Sequence, residues 1–202
     1  MRKSIKPFAI IIVAVCLIFT LCACNQNNKI YDQLNEMLKD EYVSTNLTIT
    51  TKNADMTLKS TFVFLYKDDG STVVNYSIQE AAQFDLNGDI PDSPIITRRG
   101  SIKITDEQTI VLDGENINFD VAQLNPRNIV FYRNYFSNVK TTSTEFSAKV
   151  KDARTYLGDS ARPNNDTMKV VVLFEQKINV MTFTYTDNGY DVEWNYVFSY
   201  KL

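Results

Sequence analysis

The chain has 202 residues, 21 of them basic and 24 acidic, with three cysteines and no histidine. With histidine absent and every cysteine placed before residue 25, the body of the chain cannot build a Ser-His-Asp triad, a Cys-His nucleophile or the usual zinc site. Its acidic balance also argues against nucleic acid as a partner, because a phosphate backbone repels it.

Arg2, Lys3 and Lys6 form a basic n-region ahead of an uncharged apolar run, "FAIIIVAVCLIFTLCA", from Phe8 to Ala23. This is the layout of an export signal. The run is shorter than the roughly 20 residues a spanning helix needs, and polar Asn25 to Asn28 follow it, so cleavage is expected rather than an uncleaved anchor. Leu21-Cys22-Ala23-Cys24 resembles the lipobox of bacterial lipoproteins, in which a leucine and a small residue precede the modified cysteine. That resemblance implies a diacylglycerol thioether on Cys24, which becomes the mature N-terminus. The protein is then expected at the cell membrane, lipid-anchored and facing the extracellular side. Two acyl chains hold where one is marginal, each buried methylene contributing about 0.8 kcal/mol.

The expected division is a signal peptide over 1–23, the lipidated cysteine and a short tether over 24–29, and one domain over 30–202. Loss of Arg2, Lys3 and Lys6 leaves 18 basic against 24 acidic residues, a net charge of −6. With no cysteine after residue 24 the domain cannot use disulfides and depends on its own core. The tether "NQNNK" reaches no more than roughly 20 Å.

The domain opens on "IYDQLNEMLKD", where Ile30, Leu34, Met37 and Leu38 form one apolar stripe at helical spacing. From Tyr42 the period changes to two. Val43, Thr45, Leu47 and Ile49 predict one strand, Leu58 to Tyr66 a second, and Thr72 to Gln79 a third after the Asp68-Asp69-Gly70 turn. Asp85, Asn87, Asp89 and Asp92 resemble a calcium loop only in composition, since Ile90 and Ile96 occupy the places of its glycine and distal glutamate. In "LNPRNIVFYRNYFSNV", Asn125 can cap and Pro126 can open a helix whose face carries Tyr132, Tyr135, Phe136 and Val139. A strand over 144–150, a short helix ended by Gly158 and a strand over 168–175 follow. Asn188-Gly189 then sits between two alternating runs, which predicts a hairpin pairing Tyr185 with Val192, Phe183 with Trp194 and Met181 with Tyr196. The glycines read as turns; no phosphate-cradling glycine motif is present.

These elements predict an α+β fold, mainly antiparallel β: a curved sheet or half-barrel with an N-terminal helix and one or two helices on its concave face. The order of elements loosely resembles half-barrel lipoprotein carriers and lipid-binding lipoproteins of bacterial envelopes. Segments such as "MKVVV" and "NYFSNV" are similar to parts of exported lipoproteins of low-GC Gram-positive bacteria.

Phe131, Tyr132, Tyr135, Phe136, Trp194 and Tyr196 are the candidate ligand-binding residues. Buried between helix and sheet they are simply core; around a loosely seated helix they would enclose an apolar ligand. The expected function is non-catalytic binding of a hydrophobic ligand or an envelope partner, with no cofactor and no metal. An interaction module using an open sheet edge is the alternative. A glycan-acting enzyme built on the acid pair Asp191 and Glu193 is a third reading.

Overall fold

The computed structural model describes residues 29–82, 95–105, 108–114, 121–158 and 168–201. Cys24 and the Asp85–Asp92 loop lie outside them.

A helix, α1, covers residues 29–39 and buries Tyr31, Leu34, Met37 and Leu38, with Ile30 partly buried beside them. This is the expected stripe widened by Tyr31. Ten strands follow: β1 (Tyr42–Lys52), β2 (Thr57–Tyr66), β3 (Thr72–Ala81), β4 (Ile95–Ile104), β5 (Thr109–Gly114), β6 (Phe136–Thr141), β7 (Glu145–Val150), β8 (Lys169–Phe174), β9 (Ile178–Asp187) and β10 (Tyr190–Tyr200). All pair antiparallel in one open sheet of order β5-β4-β3-β2-β1-β10-β9-β8-β7-β6. Two five-stranded meanders are thus joined along β1 and β10. A single helical turn, α2 (Arg154–Leu157), closes on Gly158 at φ 70°. The fold is mainly antiparallel β with few helices.

The final hairpin has the expected register, Tyr185↔Val192, Phe183↔Trp194 and Met181↔Tyr196. Its turn residues Asn188 and Gly189 both take positive φ, 48° and 84°, as a two-residue hairpin loop matched to strand twist requires. Turn chemistry and hydrophobic alternation therefore select the same register.

Two expectations are corrected. In β1 the alternation begins at Thr45 rather than at Val43: the register shifts between Tyr42 and Ser44, so Val43 is left 44% exposed while Tyr42 is buried at 2%. The segment 125–139 is not a helix. Asn125 does cap and Pro126 does open a turn, with the Asn125 side chain accepting the Arg127 N–H, but only three residues of 3-10 helix result. Ile129 is already extended at φ −78°, ψ 131°. Consecutive β-branched Ile129 and Val130 disfavour helix, and tertiary partners then take the backbone. A further 3-10 turn spans Arg133–Tyr135, and from Phe136 the chain pairs with β7, Phe136↔Val150.

The connection between β5 and β6 links opposite edges of the sheet. Its described part, 121–135, lies on the apolar face as a strap, burying Val121, Leu124, Ile129 and Phe131. Side chains from distant elements hold its backbone where no ladder can. The Asn35 amide donates to the Phe131 carbonyl at 2.9 Å, and its oxygen accepts the Phe131 N–H at 2.7 Å. Tyr196 donates to the Leu124 carbonyl at 3.2 Å and Tyr156 to the Val130 carbonyl at 2.9 Å. Tyr66 donates to the Asn125 side chain at 3.2 Å, and the Arg127 guanidinium lies 4.0 Å over the Tyr66 ring.

Candidate functional site

The predicted ligand-binding residues divide into three groups. Phe131 and Tyr196 are fully buried, and Trp194 is 9% exposed in the core with an edge-to-face contact to Tyr185 at 6.3 Å. Tyr135 is half-buried between Tyr132 and Tyr156, edge-on to both at 5.2 and 6.3 Å. Tyr132 is 53% exposed, and with Phe136 it borders a surface hollow.

This hollow, about 660 Å³, is lined by Tyr31, Tyr132, Arg133, Asn134, Phe136, Val139 and Lys151. Four separate parts of the chain meet there. Tyr31 comes from the first turn of α1, Tyr132 to Asn134 from the strap, and Phe136 and Val139 from β6. Lys151 follows β7, its N–H bonded to the Tyr135 carbonyl at 2.8 Å. The floor is aromatic. Tyr31 and Phe136 stack at 5.8 Å with an 11° interplanar angle, and Phe146 meets them edge-on at 5.8 and 5.6 Å.

The rim is cationic. Arg133 and Lys151 line it, and no acidic side chain among the described residues does. Burial pushes the Tyr31 phenol above its usual range while the nearby Arg133 charge opposes the shift, so the hydroxyl stays a neutral donor at physiological pH. The hollow therefore joins an apolar aromatic base to two basic side chains, Arg133 and Lys151.

A second hollow, about 480 Å³, crosses β1, β10, β9 and the start of β8. Thr50, Glu193, Thr184 and Lys169 form one cross-strand row there, and Lys52, Asp191 and Thr186 the next. Asp191 and Glu193 thus do share a surface, but Glu193 has Lys169 and two threonines in its row and Asp191 has Lys52 and Thr186, whose hydroxyl donates to Asp191 at 3.4 Å. Positive and negative groups balance in this groove. Among the described residues no group of three or more Asp, Glu, Cys or His gathers as a metal site would require.

Tyr31, Arg133 and Lys151 escaped the sequence reading because three separate elements carry them. The only local signal was the run of aromatics and Arg133 after residue 130. No protein-family model matches the chain, and no curated protein matches it in sequence.

Proposed function

We propose that the protein is a lipoprotein anchored through Cys24 at the extracellular side of the cell membrane, where it binds an amphiphile carrying an anionic head and an apolar tail. The supporting observation is the 660 Å³ hollow with its stacked aromatic base and with Arg133 and Lys151 in its lining. Its volume falls within the range of about 300–1,000 Å³ typical of small-molecule sites. Lys151 and Arg133 would meet the head and Tyr132 would cover the tail against Phe136 and Val139. Position favours the same reading: Tyr31 lies in the first turn of α1, so the hollow is near the point where the tether enters the domain. In this reading the ten-stranded sheet is a half-barrel, with α1 and the strap on its concave face, and the role is capture rather than catalysis.

The core is built from residues between Tyr31 and Phe198, which makes the chain from residue 25 onward a suitable test material. Decyl phosphate and decyl maltoside, titrated by calorimetry, separate the head from the tail. The phosphate should bind, the maltoside should bind at least tenfold more weakly, and Lys151→Glu should weaken the phosphate by about tenfold, equivalent to about 1.4 kcal/mol. Equal binding of the two amphiphiles, unaltered by Lys151→Glu and Tyr132→Ala, would refute the assignment.

A further inference from the structure

We propose that the Tyr31 hydroxyl is the donor that reads the ligand's head in the hollow, and that this head is a basic oxyanion, a carboxylate or a phosphate, rather than a sulfate-type anion. In the amphiphile reading, on which this rests, Arg133 and Lys151 meet the head; Tyr31 adds what charge cannot, a choice among anions. Tyr31 is only 5% exposed, and it lines the hollow. Its ring stacks on Phe136 and meets Phe146 edge-on. A phenol so deeply placed ordinarily finds a protein acceptor. Tyr42 and Tyr196, comparably buried, follow that rule and donate to the Leu38 carbonyl at 3.1 Å and the Leu124 carbonyl at 3.2 Å. Even the less buried Tyr156 and Tyr200 donate to the Val130 and Ile178 carbonyls, both at 2.9 Å. The Tyr31 hydroxyl has no hydrogen-bond partner among the described residues. Nor is it sealed off, since Asp187 Oδ1 alone among the described residues is a buried side-chain N or O atom without a partner. What remains accessible of Tyr31 is therefore an unused donor in the wall of the hollow.

The surroundings of the hydroxyl select its partner. Burial raises the Tyr31 phenol and the Arg133 charge opposes the rise, so the hydroxyl lies within the field of that cation. Arg133 and Lys151, in the same lining, are donors without acceptor capacity. A cationic head that used the phenol as an acceptor would be repelled by both, whereas an anionic head takes its proton and is attracted by both. Attraction by the two cations depends on charge and distance, and so does not separate one singly charged anion from another. A hydrogen bond from a neutral phenol does separate them, because it is strong only when the accepting oxygen is basic. Carboxylate and phosphate oxygens are basic; a sulfate, the conjugate base of a strong acid, accepts weakly. The cations thus supply affinity and Tyr31 supplies discrimination.

Calorimetric titration of the chain from residue 25 onward with decanoate, decyl sulfate and decyl phosphate tests the assignment. Decanoate and decyl sulfate share a tail length and each carry a single negative charge near pH 7, so a site that reads charge alone binds them equally. The parent should bind decanoate about tenfold more tightly than decyl sulfate, and Tyr31→Phe, which keeps the ring on Phe136, should bring that ratio to about one. Decyl phosphate should be weakened by Tyr31→Phe as decanoate is, and whichever of the two the parent binds more tightly names the source of the oxyanion. Because the hydroxyl makes no bond within the described fold, the urea midpoint of Tyr31→Phe should stay at the parent's value. A fallen midpoint would assign the hydroxyl a structural role and overturn the proposal. Equal binding of decanoate and decyl sulfate by the parent, or a preference that survives Tyr31→Phe, would also overturn it while leaving the binding of anionic amphiphiles intact. Failure of all three to bind would instead refute the reading of the hollow itself, and this assignment with it.

Discussion

Asn35 is the residue on which the strap's geometry depends most directly. Its amide makes two bonds to one residue, accepting the Phe131 N–H at 2.7 Å and donating to the Phe131 carbonyl at 2.9 Å, much as a neighbouring strand would. Asn35→Ala removes both and leaves a partly buried N–H and C=O without partners. Each lost bond costs about 1 kcal/mol, and leaving the peptide groups unsatisfied raises the total to about 2–4 kcal/mol. Trp194, the single tryptophan, is 9% exposed in the core and reports unfolding by its fluorescence. With a urea slope of about 2 kcal/mol/M, the midpoint should fall by about 1–2 M. Asn35→Asp adds a sharper criterion, because it keeps the acceptor but turns a carboxylate oxygen toward the Phe131 carbonyl. That contact favours the protonated acid, raising its folded pKa above the unfolded value, so the variant's deficit should shrink as pH falls from that raised value toward about 4 and be smallest below it. A shift under about 0.5 kcal/mol for Asn35→Ala, with Asn35→Asp insensitive to pH, would show that the strap is held by its apolar residues alone.

Burial pushes the Tyr185 and Tyr200 phenols up to about 12, and raises those of Tyr66, Tyr156 and Tyr196 as well. Raised folded pKa values contribute stability that is whole below pH 10 and is lost as pH rises toward 12; absorbance at 295 nm should show these phenols ionising late, together with unfolding. Asp69 accepts bonds from the Ser71 hydroxyl and N–H and from Lys103, which hold its carboxyl down to about 2. Carboxyl NMR should find that midpoint, and Ser71→Ala should move it toward the ordinary range. A methyl at Gly100 would press into the Tyr76 hydroxyl and the Asp113 carbonyl. Gly100→Ala should therefore cost about 1–3 kcal/mol and speed amide exchange in β5 ahead of β10. Arg127→Ala, which removes the guanidinium from the Tyr66 and Tyr42 rings at 4.0 and 5.1 Å, should cost about 0.5–1 kcal/mol in the same urea assay.

Where local chemistry and burial agree, the fold was legible in the sequence. The Asn188-Gly189 hairpin, the α1 stripe and the turn of α2 ending at Gly158 all come from short-range signals. The strap was not legible, because Tyr132, Tyr135, Phe136 and Val139 satisfy a helical spacing by coincidence while the backbone is governed by Asn35, Tyr156 and β7. β4 and β5 passed unread for a different reason. Arg98, Arg99 and Gly100 interrupt the alternation of one, and Ile110-Val111-Leu112 shows none in the other, as suits an edge exposed on both faces. Of the candidate site, Tyr132 and Phe136 were visible as neighbours in an aromatic run. Tyr31 and Lys151 reach it only through tertiary packing, which leaves no periodic trace in a sequence.

The pairing of β1 with β10 also bears on when the molecule can form. Residues 42–52 lie along 190–200, so the middle of the sheet stays open until β10 has been made. Neither meander alone can cover the apolar face, and the closing contacts are nearly the most distant in sequence that the chain allows. Such a topology folds slowly and late, after synthesis rather than during it. For a chain proposed to pass through a membrane before it works, that delay is an advantage, since it keeps the polypeptide threadable until β10 has been made.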